Sequence, residues 1–589
     1  MKIIVAKTAG FCMGVRRAVD LAVDTSPLNA KKILTIGPLI HNTQTIEMLK
    51  ERGVEVLDEE QAPPDDATIL IRAHGISPEK QDLFVQRGLE IIDGTCPKVK
   101  TVHTVIRKHR DEGYSIVITG DEGHAEVIAL MGYAGDAGHL IQLPDDVAGL
   151  PAFEKVCLVS QTTFDSVTFN QIATRIKDKY RNAQVVIKKT ICSATDLRQE
   201  ETRELASKVD AMIIVGSKHS ANTMRLAKIS RQFSPQTQHV ETEKEIDWGP
   251  LAGCRTIGIT AGASTPHWII RLVADHLGLL ARKNRRTVST IFWDIFDILG
   301  HLNVFVASGA VAIYYASCYM QGFPFTETGA VLAFLYVLSI YLWNSITSID
   351  ITHHLGLSRY RFYEAHKRTL MVLVLLCFCL ILGISYVRST TLFYLMLITT
   401  AGGVVYHITI VPESLRKYFT YSNLQDIPTS RDLFVALAWA VLITFIPHAI
   451  LPRFTLTPTT FFFFFWTSYL AYMRSLIFDL RDIEGDRIMG RETLVTVIGE
   501  KRVRKIMYAT LGISILALFC FSSFSLLPNY SSPDSNAGAF LLQLPVVVYL
   551  WVFMKWNHKV SGRHPGLFNL FADGQFFMAG LGAWIAHFI

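Results

Sequence analysis

The chain has 589 residues, a net charge of +6 and a hydrophobic fraction of 50%. That length allows about four domains at ~150 residues each, and so modest a charge carries no nucleic-acid signal, so no nucleic acid is expected as a partner. Residues 1 to 280 have ordinary charge density, whereas long apolar runs dominate from about 300 onward, with basic residues set between them, the pattern of membrane topology.

The opening MKIIVAKTAGFC predicts a strand and a turn at once, with no signal-peptide apolar segment. The first half is therefore expected in the reducing cytoplasm, where disulfides are rare. Cysteines stand at 12, 96, 157, 192, 254, 318, 377, 379 and 520 without any Cys-x-x-Cys pair, which speaks against zinc-ribbon and thioredoxin-like sites.

KIIVAK predicts a strand, and GVRRAVDLAVD an amphipathic helix with Val15, Ala18, Val19 and Ala22 on one stripe. Further strands are expected at KILTIG, ATILIRAHG, SIVITGDEG, VCLVSQTT, AMIIVGSKHS and TIGITAGAS, and the pair Ile91–Ile92 before Asp-Gly reads as a strand end. Each run is short, rich in Ile and Val, and closed by a polar or glycine-containing turn. Strand–turn–helix repetition predicts parallel sheets in more than one α/β unit. Ligands of such sheets gather at the carboxyl ends of the strands.

Chemically capable residues recur at those ends: Cys12, His41, His74, Cys96, His124 with Glu126, Thr162, Cys192, Ser220 with Asn222, and Ser264. Cys12, Cys96 and Cys192 each fall at a strand-to-helix turn, a place that favours thiolate. Spacing alone leaves two readings open: buried small residues, or three soft ligands of one zinc, copper(I) or iron–sulfur centre with a position left for substrate. His41, His74, His124, Ser220, Asn222 and Ser264 together suit an anion such as a diphosphate, with backbone amides of TAGAS alongside. Glu126 is placed to donate or relay a proton, with Thr162 completing the relay. Cys157 and Cys254 lie in strand-like runs and are expected in the core.

The motifs GFCMGVRRAV, GPLIHN, IRAHG, DGTCP, GHAEV, SQTT, VGSKHSANTMRL and TAGASTP strongly resemble the 4-hydroxy-3-methylbut-2-enyl diphosphate reductase family, over residues 1 to 280 and in order. The resemblance implies three related α/β units around a central cluster site. It implies a 4Fe–4S cluster on Cys12, Cys96 and Cys192, and an allylic diphosphate held by His41, His74, Ser220, Asn222 and Ser264, with His124 nearby. Glu126 would deliver protons with Thr162 helping to position them, two one-electron transfers and dehydration would yield isopentenyl and dimethylallyl diphosphates, and a ferredoxin or flavodoxin would supply the electrons. One departure is visible: the family commonly has Ser-Ser-Asn where this chain has Ser220-Ala221-Asn222.

The basic segment ARKNRRTVST, within a linker expected over 281–295, reads as a helix-poor junction, either meeting an anionic membrane surface or simply solvated. Residues 296–589 are expected to form an all-α membrane domain of nine transmembrane helices, near 302–320, 328–349, 369–387, 391–411, 433–451, 459–478, 506–527, 539–554 and 567–588. Connections after the second, fourth, sixth and eighth spans carry the Lys and Arg, which puts those loops and the first half in the cytoplasm of an integral membrane protein contacting lipid.

FDLRDIEGDRIMGRETL sets Asp479, Asp482 and Asp486 at spacings of three and four, on one helical face. Carboxylates so grouped suit Mg²⁺ bridging a diphosphate. The segment looks like the second Asp-rich motif of the UbiA prenyltransferase superfamily, which implies nine membrane helices and prenyl transfer from a polyprenyl diphosphate to a lipophilic or aromatic acceptor. The first motif is degenerate. In NSITSIDITHH, Asn344 is kept, Ser345, Ser348 and Thr352 replace acids, and Asp350 is out of register. The second half is thus open to two readings: a second catalytic activity, or a non-catalytic anchor.

Overall fold

The computed structural model describes residues 1–25, 32–58, 61–284, 288–347, 357–406, 430–451, 456–488, 493–524, 538–560 and 565–588. The chain divides into two compact units, Met1–Asn284 and Arg285–Ile589.

In the first unit the described strands are β1 (Lys2–Val5), β2 (Ile33–Ile36), β3 (Val54–Leu57), β4 (Thr68–Ile71), β5 (Glu90–Asp93), β6 (Ser115–Thr119), β7 (Gly138–Ile141), β8 (Lys155–Ser160), β9 (Gln184–Ile187), β10 (Ala211–Val215), β11 (Thr237–Val240) and β12 (Thr256–Ala261). They form three four-stranded sheets, ordered β3-β2-β4-β5, β7-β6-β8-β9 and β11-β10-β12-β1. Every pairing is parallel. The three sheets share one plan. Two central strands are flanked by two edges, and the third sheet takes its last strand from the start of the chain, so the first and last segments complete one unit between them.

The central strands are apolar throughout because both faces are covered. Ile69 and Leu70 of β4, Ile116 to Ile118 of β6 and Met212 to Val215 of β10 are all fully buried. The helix Met13–Thr25 buries Val15, Ala18, Val19 and Ala22, the stripe that its sequence predicts, along with Val23. Cys157 in β8 and Cys254 just before β12 are buried.

The junction expected to be helix-poor is helical where described: Ala281 to Asn284 end the helix His267–Asn284, and Val288–His301 forms the next. Ala, Arg and Lys are strong helix formers, and their basic charge does not oppose helix at a C-terminal end. In Val288–His301, Ile291, Phe292, Ile295 and Ile298 are exposed along one side.

The second unit is helical. Among its described residues, helices within Val304–Gln321, Glu327–Thr347, Arg359–Arg388, Asp432–Ile450, Pro458–Ile483 and Glu500–Ser523 are long and apolar enough to cross a membrane, six rather than the nine expected. The fourth and eighth expected spans coincide with the shorter apolar helices Thr390–Val405 and Leu544–Trp556. The ninth coincides with Pro565–Phe588, whose run is interrupted by Asn569, Asp573 and Gln575. Tyr314, Phe463, Phe568 and Phe576 are among the largest fully buried side chains of this bundle.

Candidate active site

The strand plan places the three thiols equivalently. Cys12, Cys96 and Cys192 follow β1, β5 and β9, one edge strand of each sheet. In each case the cysteine N–H donates to a carbonyl at the end of the neighbouring central strand: Cys12 to Ala263 at 3.0 Å, Cys96 to Ala73 at 3.0 Å and Cys192 to Thr162 at 2.9 Å. Each thiol also precedes a helix, Met13–Thr25, Pro97–Asp111 or Ser193–Ala206, with Cys96 and Cys192 as the N-cap residues. Positive helix ends favour anionic sulfur. All three line one cavity of about 70 Å³.

The cavity fits a thiolate-held metal centre. Burial pushes the Cys96 thiol up, and the charges of Cys12 and Cys192 push it further, so thiolates gathered here need a cation to coexist. Room for the sulfur comes from Gly14, where a methyl group would lie 2.5 Å from the Cys96 Sγ. Gly14→Ala is expected to displace Cys96 at a cost of about 1–3 kcal/mol. Reduced iron content after anaerobic reconstitution, with a lower denaturation midpoint, would show it; full iron content would contradict the assignment.

Beside the thiols lies an imidazole cluster. The rings of His41, His74 and His124 have centroids 5.0 to 6.0 Å apart, and their nitrogens lie within 4.8 Å of one another, close enough to share an ion. Burial first, then the Arg72 guanidinium and His219, hold His41 below the ordinary histidine range; burial first, then His124, His41 and Arg72, hold His74 well below it, and Arg72 itself is only 6% exposed. His124 is pushed down to about 4 by burial and by His41. A fixed cation beside neutral imidazoles selects an anion. Donors are waiting for one: His41 Nε2, His74 Nδ1 and Asn222 Nδ2 are buried without a hydrogen-bond partner among the described residues. His124 Nδ1 accepts from the Glu126 N–H at 3.1 Å, which leaves the proton on its other nitrogen.

A bound anion raises these histidine pKa values, so binding takes up protons and strengthens as pH falls. Calorimetric titration with sulfate, whose charge is constant over the range, should give tighter binding at about pH 6 than at about pH 8. A pH-independent affinity would contradict the cradle.

Glu126 is completely buried. Its two oxygens accept from the Thr162 N–H at 2.7 Å and the Thr162 hydroxyl at 2.9 Å. Burial pushes its carboxyl up to about 7, with the Thr162 hydrogen bonds working against the rise. The Thr162 carbonyl holds the Cys192 N–H, so acid and thiol share one backbone link. His74, Glu126, Thr162 and Asn222 line the same cavity as the thiols. The Ser264 hydroxyl donates to the His41 carbonyl at 3.1 Å. Ser220 accepts from the Thr223 N–H as N-cap of the helix beginning at Ala221, next to Asn222.

Arg198 carries no motif that marks it in the sequence. It is 4% exposed, lines the thiol cavity, and donates to the carbonyls of Ala261 and Gly10, both at 2.8 Å. Burial opposes its charge while Cys12, Glu201 and Cys192 favour it. It stands six residues after Cys192 on the buried stripe of the helix Ser193–Ala206, with Thr195, Gln199, Thr202 and Ala206, a place that spacing alone does not interpret.

In the second unit Asn344, Asp479, Asp482 and Asp486 line one cavity of about 680 Å³. Asp479 and Asp486 are 2% and 5% exposed on the helix Pro458–Ile488. Buried carboxylate oxygens beside a polar carboxamide fit a Mg²⁺ ion and a phosphorylated ligand. Asp350 lies outside the described residues. Arg481 clasps Asp482 through two nitrogens, at 3.0 and 2.7 Å. Arg474 and Asp573, an ion pair at 2.5 Å, lie in the same cavity and were not anticipated.

Comparison with known proteins agrees with this division. Residues 3–278 match the model described as LytB protein, and residues 364–571 match the UbiA prenyltransferase family. The chain is 39% identical over 284 residues to the 4-hydroxy-3-methylbut-2-enyl diphosphate reductase of Pelobacter propionicus, covering 48% of this chain and 100% of that one. With its counterpart from Aquifex aeolicus it is 41% identical over 278 residues, 47% of this chain and 95% of the relative. A solved (E)-4-hydroxy-3-methyl-but-2-enyl diphosphate reductase shares 40% identity and covers 47% of this chain and 100% of its own, with a TM-score of 0.38. A UbiA homolog from Archaeoglobus fulgidus bound to GPP and Mg²⁺ covers 49% of this chain and 100% of its own at 14% identity, with a TM-score of 0.34. With these reductases covered over nearly their whole length, the chain belongs to the LytB family of 4-hydroxy-3-methylbut-2-enyl diphosphate reductases through its first unit, and residues 364–571 of its helical unit match the UbiA prenyltransferase family.

Proposed function

We propose that residues 1–280 reduce 4-hydroxy-3-methylbut-2-enyl diphosphate to isopentenyl and dimethylallyl diphosphates. The convergence of Cys12, Cys96 and Cys192 on one cavity supports this most directly. When bound to these thiols, a 4Fe–4S cluster supplies single-electron transfers and one iron position that no cysteine fills. His41, His74, Asn222, Ser220 and Ser264 hold the diphosphate, with His124 and Arg72 adding donors and charge. Overall, two electrons and two protons enter, the allylic carbon–oxygen bond breaks, and the hydroxyl leaves as water. Glu126, poised near neutrality and held by Thr162, supplies a proton. A ferredoxin or flavodoxin delivers the electrons.

For the second half we infer a membrane domain of nine crossings with the basic loops and the reductase on the cytoplasmic side. The alternation of Lys and Arg between loops supports it. Its cavity is read as a pocket for an isoprenyl diphosphate, with Asp479, Asp482, Asp486, Asn344 and Asp350 as the candidate Mg²⁺ and diphosphate ligands, serving transfer to a lipophilic acceptor. The retained acids of the second motif favour this over a plain anchor.

The test is anaerobic reconstitution of the full chain with iron and sulfide, followed by product analysis with a chemical one-electron donor. Formation of the two five-carbon diphosphates is expected; bound cluster without turnover would refute the activity. Membranes given Mg²⁺ and labelled polyprenyl diphosphates should label a quinone or porphyrin precursor, and no label in any acceptor would leave the anchor reading.

A further inference from the structure

Five aspartates and three arginines line the cavity of the second unit. Two of those guanidiniums are neutralised in place, Arg474 by Asp573 at 2.5 Å and Arg481 by Asp482 at 2.7 Å. Arg359 is different. Its Nη2 donates to the Ser345 hydroxyl at 3.1 Å, and its guanidinium carbon lies 5.7 Å from the centre of the Tyr363 ring. Among the described residues no carboxylate pairs with it, and its buried Nε has no hydrogen-bond partner. A buried guanidinium N–H left without an acceptor is costly, so this corner is built for an acceptor that comes with the ligand.

Ser345 explains why the charge is available. It occupies the position where the first Asp-rich motif would carry an acid, is 6% exposed, and donates its own proton to the Tyr341 carbonyl at 2.8 Å. A carboxylate at that point would bind Arg359 and draw a cation. A hydroxyl orients the guanidinium without neutralising it. The acceptor that satisfies both the charge and the fork of N–H groups is a phosphoryl oxygen. Much of the remaining lining is apolar, with Val337, Ile340, Ile398, Val435 and Leu437 suited to a hydrocarbon chain.

We propose that Arg359 binds phosphate directly in place of a divalent cation, so that this pocket takes an isoprenyl diphosphate without requiring Mg²⁺. This rests on the reading of the pocket as an isoprenyl diphosphate site. Arg359 and Ser345 together convert one end of it from cation-binding to anion-binding. The ligand chemistry, a phosphate ester on an apolar chain, is shared by membrane phospholipids, and competition separates the two sources.

The experiment measures farnesyl diphosphate binding to the full-length protein in nanodiscs, with Mg²⁺ and with EDTA. Retention in EDTA of an affinity within about tenfold of the Mg²⁺ value is expected, and Arg359→Gln should weaken EDTA binding by about tenfold or more, the loss of a charge-assisted hydrogen bond. Ser345→Asp provides the second variant: its carboxylate captures Arg359, so EDTA binding falls and Mg²⁺ restores it. Binding by the unaltered chain that requires Mg²⁺, or EDTA binding unchanged in Arg359→Gln, overturns the inference. No binding under either condition overturns the reading of the pocket itself. Phosphatidic acid is expected to compete more weakly than unlabelled farnesyl diphosphate, and stronger displacement by it overturns the isoprenoid occupant.

Discussion

Cys96→Ser is expected to lose its iron and its reductase activity while keeping its fold. Serine matches the thiol in size but offers a hard oxygen where a soft thiolate is needed. Changing outer-shell partners alone typically costs 10–100-fold, so removing a ligand should lower activity by more than about a hundredfold. The fold cost should be on the order of 1 kcal/mol, because the exchange is nearly isosteric. Cys157→Ser is the matched control. That thiol is fully buried in β8 and pushed up to about 12 by burial, so it is inert. Iron and sulfide should stay complete in Cys157→Ser and fall in Cys96→Ser. Equal iron in both variants would remove Cys96 from the ligand set.

Glu126→Gln is expected to move activity and stability in opposite directions. Loss of a positioned proton donor should lower turnover by about 10²–10⁴-fold. Stability follows from the raised carboxyl. The folded chain keeps the proton up to about pH 7, whereas an unperturbed carboxyl releases it near 4.5. Between those values the folded state binds more protons, so stability falls as pH rises through that window, and the whole penalty stands above it. A shift of that size corresponds to about 3 kcal/mol, an upper figure for what the uncharged amide recovers. Thermal denaturation of the cluster-free protein should therefore show the variant more stable than the parent near pH 8, with little difference near pH 4. In the parent, activity should fall as pH rises above about 7. A variant that is less stable at high pH, or one that keeps full turnover, would refute the role.

Which elements can be read from the sequence follows from burial. The central strands β2, β4 and β10 are buried at every position and appear as short apolar runs of Ile, Leu, Met, Val and Ala, with Thr35 and Thr68 the only polar members. The edges β3, β7, β9 and β11 are not delimited by such runs, because each leaves a side open to solvent and carries Glu55, His139, Gln184 or Gln238. The apolar spans are legible for a related reason, since long unbroken hydropathy needs no partner to be recognised. Pro565–Phe588 shows the limit: Asp573 interrupts it, and only the bundle supplies Arg474 as the partner that lets the acid be buried.

Local sequence dictates the chemical types and their places along the chain: a thiol at each of three strand-to-helix turns, at Cys12, Cys96 and Cys192, histidines after β2, β4 and β6, and acids at helical spacing in the second half. These are local properties, set by strand propensity, turn residues and periodicity. Which of them meet depends on the packing of the sheets and the bundle. The carbonyls of Ala263, Ala73 and Thr162 hold the three cysteine N–H groups in the same way, and the first strand closes the sheet made by the last ones. Arg198, Arg72 and Arg359 look alike as residues in a sequence. What separates them is the company each keeps: thiols, imidazoles, and a serine where an acid would cancel the charge. Electrostatic partners are long-range in sequence and short-range in space, so the pattern of residues could name the groups, and the fold alone could pair them.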